Sequence, residues 1–196
     1  MINRVIFLFA VLFFMLVSCG VGSKKQPALT QEELLHLGDS VANHAQKVLL
    51  ENLMGAIKTS NYEGAVDFCN LNALNITQDI SNFHHLKIQR LSNKNRNLQN
   101  GLKTNNDIEA WNELEKAMAD KNAAKHFLKK EKNSYVYYKA IPLGMPTCLS
   151  CHGEKGTDIA VETEEVIAQK YPDDKATGYK LGMLRGMWKI NMNKYD

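Results

Sequence analysis

Five consecutive residues constrain this chain more than any other part of it: Cys148, Leu149, Ser150, Cys151 and His152, set in the segment PTCLSCHGEKG at 146–156. Cysteines at i and i+3 project from one face of a helical turn. Two thiols so placed can add across the two vinyl groups on neighbouring edges of one porphyrin, and His152, which follows directly, can turn its imidazole under the ring to the iron. Cys-x-x-Cys-His is the attachment signature of a c-type haem, so the expected cofactor is one covalently bound haem c. A structural zinc ion fits less well, because it usually takes four ligands and only one further thiol is left over. A thioredoxin-like dithiol would open a helix in a βαβ context, and no parallel α/β alternation surrounds this pair.

The amino terminus sets the compartment. Asn3 and Arg4 precede 13 unbroken apolar residues, Val5 to Val17, which are followed by Ser18, Cys19 and Gly20. That run is too short to span a bilayer but has the length of a bacterial export signal. LVSC at 16–19 is similar to the lipobox of bacterial lipoproteins, in which the signal is cut before a cysteine that then carries acyl chains. Residues 1–18 are therefore read as a signal peptide, 19–31 as a tether lipidated at Cys19 and broken by Pro27, and 32–196 as one domain. Acyl chains at ~0.8 kcal/mol per buried methylene would hold the domain on a membrane outside the cytoplasm. Gly20 gives no retention cue, which favours the outer membrane facing the periplasm. The net charge is +3, and no basic stripe is interleaved with stacking aromatics, so a nucleic-acid partner is not expected.

Of the four cysteines, Cys19 is assigned to lipid and Cys148 and Cys151 to haem, which leaves Cys69. An odd number of thiols outside the cytoplasm cannot all pair within one chain. Ala65, Cys69, Ala73, Ile76 and Ile80 recur at helical spacing, a shallow apolar face against which a flat porphyrin could lie with the Cys69 sulfur reaching its iron. A lone cysteine on such a face is also a common buried core residue. Met145, Met183, Met187 and Met192, and the histidines at 36, 44, 84, 85 and 126, stay open as sixth ligands. Arg90, Lys94 and Arg96 stand at alternate or near-alternate positions beside an expected strand end, where they could grip the haem propionates; a solvated basic loop is the plain alternative, and both readings extend to Arg185.

Periodicity gives an α+β architecture. Residues 32–57 form a long amphipathic helix, SNYEG at 60–64 interrupts it, and the Cys69 helix follows. LKIQRLS at 86–92 and SYVYYKAIPL at 134–143 read as strands. Residues 106–120 read as a helix with Ile108, Trp111, Leu114 and Met118 inward. Thr163 and its acidic turn begin another helix that ends at Pro172, and 178–192 supplies two short strands punctuated by Gly182 and Gly186.

Four segments carry a resemblance to a known family: AVDFCNLNA at 65–73, RLSNKNRN at 90–97, YKAIPLGMPTCLSCHG at 138–153 and YPDDKATGYKLGMLRG at 171–186. The chain resembles the single-haem c-type domain with a PAS-like fold, catalogued as a domain of unknown function and often found as the extracytoplasmic sensor of bacterial receptors. The resemblance implies Cys69 as distal and His152 as proximal iron ligand, and an antiparallel sheet cradling the haem behind a long amino-terminal helix. The chain departs from the family at Leu98, where proline tends to follow the Arg-Asn matched to Arg96 and Asn97.

The expected function is a redox or small-gas sensor module tethered to the membrane, since reduction weakens a thiolate bond to haem iron and opens a site for a gas. The signal would pass to a redox or signalling protein partner. A single-haem electron-transfer cytochrome is the alternative. Peroxide reduction would need an open iron position and His84 or His85 as distal base. No Ser-His-Asp set, paired carboxylates or phosphate-binding loop points to an enzyme of another class, and none is expected.

Overall fold

Thr30 opens the longest element. Its hydroxyl accepts from the Glu33 N–H at 3.3 Å while the Glu33 carboxylate takes the Thr30 N–H at 2.8 Å. This reciprocal cap starts α1, Gln31–His84. The structure, a computed structural model, describes residues 29–132 and 134–193. The signal segment, Cys19 and most of the tether lie outside these residues.

α1 turns back on itself. Ser60 and Asn61 leave helical geometry, Asn61 with φ 53° and ψ −164°. The Asn61 Oδ1 then accepts from the Gly64 N–H at 3.4 Å, as the cap of a second arm would. Forty residues of straight helix would extend about 60 Å, yet His44 Nδ1 and His84 Nε2 are 2.8 Å apart. The break expected at SNYEG is therefore the turn of a helical hairpin.

Four strands, β1 (Lys87–Leu91), β2 (His126–Glu131), β3 (Ser134–Pro142) and β4 (Leu184–Asn191), form an antiparallel sheet in the order β1-β4-β3-β2. Alternation divides their side chains between two faces. Ile88, Tyr137, Trp188 and Ile190 pack under α1 with Leu34, Val41, Ala45 and Ile80. Val136, Tyr138, Ala140 and Met187 pack on Trp111 and Leu114 of α2, Asn105–Ala119. The α+β expectation holds.

Four local expectations change. Residues 178–192 contain one strand rather than two, and Gly186 lies within it, where a Cβ would meet the Leu91 carbonyl at 3.1 Å. Glycine permits that close approach without ending the strand. Periodicity assigns no element to the lysine-rich segment 126–132, yet β2 forms there as an edge strand, where exposed lysines are common. In α2, Ile108 is 47% exposed, because Asp107 and Ala110 take the inward positions. The helix expected at Thr163 begins earlier, at Val161, and runs to Lys170. Thr163 is buried within it, and its hydroxyl bonds the Glu63 carboxylate at 2.8 Å instead of capping.

Gly38 lets α1 lie directly on the sheet. A Cβ there would stand 2.3 Å from Tyr137 Cγ. Tyr137 is fully buried and its hydroxyl donates to Asp39 at 3.0 Å, so the ring has no room to retreat. Gly38→Ala is expected to cost about 1–3 kcal/mol, the range for overpacking a core, read as a lower urea midpoint.

Candidate functional site

A cavity of about 190 Å³ lies between the two arms of α1, the end of β1 and the segment carrying Cys148 to His152. Its apolar wall comes from Leu53, Ile57, Ala65, Val66, Ala73 and Leu74 of α1, with Cys69 among them. Ala65, Cys69 and Ala73 share the helical face expected from their spacing. Opposite stands a 3-10 turn, Pro146–Cys148, which runs into α3, Leu149–His152. Pro146 suits the first position of that turn because its φ is already set and no N–H is needed there. Cys69, Cys148, Cys151 and His152 all line the cavity, and the three cysteines are free thiols. Burial raises the Cys69 thiol against the opposing pull of Arg90 and Arg96, and raises Cys151 to about 11.

His152 has a defined tautomer. Its Nδ1 lies 2.8 Å from the Ala176 carbonyl, and since a carbonyl only accepts, Nδ1 carries the hydrogen and Nε2 keeps its lone pair. Burial, then the cations of Arg185 and Arg96, hold the imidazole well below its ordinary pKa, so the ring is neutral. The backbone clamps the same turn: Tyr179 N–H donates to the His152 carbonyl at 2.9 Å and Gly178 N–H to that of Gly153 at 2.7 Å.

The basic residues divide. Arg90 lines the cavity from within β1, where its backbone pairs with Trp188. Arg185 also lines it, donating to Ser92 Oγ at 3.2 Å and lying 5.4 Å from the Tyr179 ring centroid. Burial lowers its guanidinium to about 10, still cationic at neutral pH. Arg96 reaches the cavity wall, but its fork is engaged by Asp174 at 3.1 Å. Lys94 is placed elsewhere: its ammonium bonds the Thr177 carbonyl and sits 4.5 Å from the centroid of the Tyr179 ring, and it does not line the cavity. No carboxylate of the described residues lines it either. Leu98, at the departure from the family pattern, is exposed in a 3-10 turn, Leu98–Asn100, capped by Asn97.

Among the other ligand candidates, Met145 lines the cavity. Met187 and Met192 are fully buried in the core and Met183 is exposed. His44 and His84 bond one another, His126 stacks on Tyr137, and His36 and His85 are exposed. Sequence reasoning did not single out Asp174, Ala176 or Tyr179. They fall in the segment YPDDKATGYK, but nothing in their spacing shows that the chain returns there to the motif.

This fold and site define a class: an α+β domain in which a helical hairpin and a sheet enclose one cavity walled by thiols, an imidazole and guanidinium groups. Residues 24–193 match the Tll0287-like family, and the chain belongs to that family. Among solved structures it is similar to the crystal structure of the cyanobacterial heme-protein Tll0287, with 25% identity and a TM-score of 0.60 over 84% of this chain and 96% of that one. No curated protein matches the sequence. The resemblance to a single-haem family read from the four segments agrees with this membership.

Proposed function

We propose that the chain is a c-type haem protein, held by lipid at Cys19 on the outer side of a bacterial membrane, that acts as a redox or small-gas sensor module. The observation that carries the reading is the convergence of Cys69, Cys148, Cys151 and His152, from two distant segments, on one cavity. Similarity to a heme-protein supports it. The residues fit the group in chemistry as well as number: two thiols on one turn for covalent attachment, a neutral imidazole and a second sulfur for the iron, and an apolar helical wall for the macrocycle.

When bound, an iron porphyrin would supply a one-electron couple and a metal for which a small gas could compete with a protein ligand. Cys148 and Cys151 would fasten it, while His152 and Cys69 would face its iron. The Ala176 carbonyl orients the His152 ring by accepting its Nδ1–H, as a hydrogen-bond acceptor usually does for a metal-bound histidine. Arg90 and Arg185 lack a carboxylate partner along the cavity wall, so they favour an anionic occupant edge such as two propionates. Lys94, bonded elsewhere, has no part in that contact.

The test is the mass of the matured protein under denaturing conditions. One added porphyrin is expected to remain bound to the polypeptide. In the Cys148→Ser, Cys151→Ser double variant it is expected to be lost completely. Bare polypeptide mass in a pigment-free native protein would overturn the reading.

A further inference from the structure

The Arg96 guanidinium, besides reaching the cavity wall, occupies a junction behind the motif. Its Nε and Nη2 each lie 3.1 Å from an oxygen of Asp174, and Nη2 also donates to the Cys151 carbonyl at 2.6 Å and, through a shared hydrogen and more weakly, to the Ala176 carbonyl at 3.4 Å. The Ala176 carbonyl is the acceptor of the His152 Nδ1–H, and the Ala176 N–H donates to Asp174 Oδ1 at 2.9 Å. One residue's peptide groups thus connect an ion pair to the imidazole. The pair is well shielded from water, its side chains 12% and 6% exposed, so its charges are weakly screened.

We propose that Arg96 and Asp174 form a positioning pair that sets the electron-donor strength of His152 through the Ala176 carbonyl they share with it. This rests on the haem reading above. A carbonyl oxygen has two lone pairs and here serves two donors. The Arg96 cation draws on that oxygen and weakens its pull on the His152 Nδ1–H, which keeps the imidazole from acquiring imidazolate character. Asp174 restrains the cation and holds the Ala176 backbone in place. A metal-bound histidine whose Nδ1–H is pulled harder is a more basic ligand and favours the oxidised metal. The two partners therefore act on His152 with opposite sign, whereas a salt bridge that merely fastens the loop would be damaged alike by loss of either side.

The experiment compares holoprotein with Arg96→Gln, Arg96→Lys and Asp174→Asn, measuring the reduction potential and the ¹⁵N resonance of His152 Nδ1. Arg96→Gln is expected to lower the potential and Asp174→Asn to raise it, with the Nδ1 resonance moving in opposite directions in the two variants. Arg96→Lys, which keeps the charge, should lie closer to wild type than Arg96→Gln. Potentials that move the same way, or an Nδ1 resonance unmoved by either change, would overturn the proposal while leaving the haem reading intact. Absence of porphyrin mass in wild-type protein would defeat the haem reading, and the proposal with it.

Discussion

Cys69→Ala is expected to abolish the thiolate signature in the absorption and paramagnetic-resonance spectra of the ferric protein and to raise its reduction potential. Thiolate donates more density to ferric iron than neutral ligands do, and alanine offers the iron no atom to bind. Covalent haem should be retained, because Cys148 and Cys151 are untouched. The fold should tolerate the change at a cost of about 1 kcal/mol, since the substitution removes a single atom from a half-buried position. Spectral loss would thus report a ligand and not a collapsed domain. Unchanged spectra would take Cys69 off the iron and turn attention to Met145, the other sulfur on the wall outside the attachment motif. Carbon monoxide then separates the two functions: binding by reduced wild-type protein with loss of an axial ligand supports sensing, and refusal with both ligands kept supports electron transfer.

Lys189→Met, on the far side of the sheet, is expected to cost about 3–5 kcal/mol at neutral pH in urea unfolding. The Lys189 ammonium lies 2.7 Å from Asp107 Oδ1, with side-chain exposures of 11% and 2%. Asp107 also accepts from the N–H groups of Lys103 and Thr104 at 3.2 and 3.0 Å, which fixes the start of α2. Burial by itself would raise the Asp107 carboxyl, but Lys189 and these N–H groups outweigh it and hold the pKa below its usual value. A lowered folded-state pKa means stability that is complete above the unfolded carboxylate value and is lost as pH falls through the folded one. Wild type should therefore weaken below roughly pH 4. In the variant, burial dominates and protonation relieves an unpaired buried charge, so the deficit relative to wild type should shrink on acidification. An equal deficit at pH 7 and pH 3.5 would refute the account.

Periodicity was enough for the elements whose burial is one-sided. Leu34, Val41 and Ala45 recur on one face of the first arm, and Tyr137 and Val136 alternate across the sheet, so each reads from local spacing. β2 did not read, because an edge strand with lysines on it carries the composition of a solvated loop. Thr163 misled for a related reason: hydroxyls near a helix start usually cap, and only the return of Glu63 from 100 residues away gives this one a different partner. At the site, Cys148, Cys151 and His152 were legible because their chemistry is written in consecutive positions. The pairing of Arg96 with Asp174 was not, since it is made across 78 residues by the tertiary fold and leaves no local period.

The turn at Ser60 and Asn61 gives the cavity two jaws. His152 sits in a turn clamped by Tyr179, Gly178 and Ala176, while Cys69 rides on a limb joined to the first arm through a two-residue elbow and held near its far end by the His44–His84 contact. Between elbow and clasp the limb is also tied to the helix Val161–Lys170, through Glu63 to Thr163 at 2.8 Å and Asp67 to Lys170 at 3.0 Å. A change in the spacing between sulfur and imidazole would therefore carry that helix along with the limb.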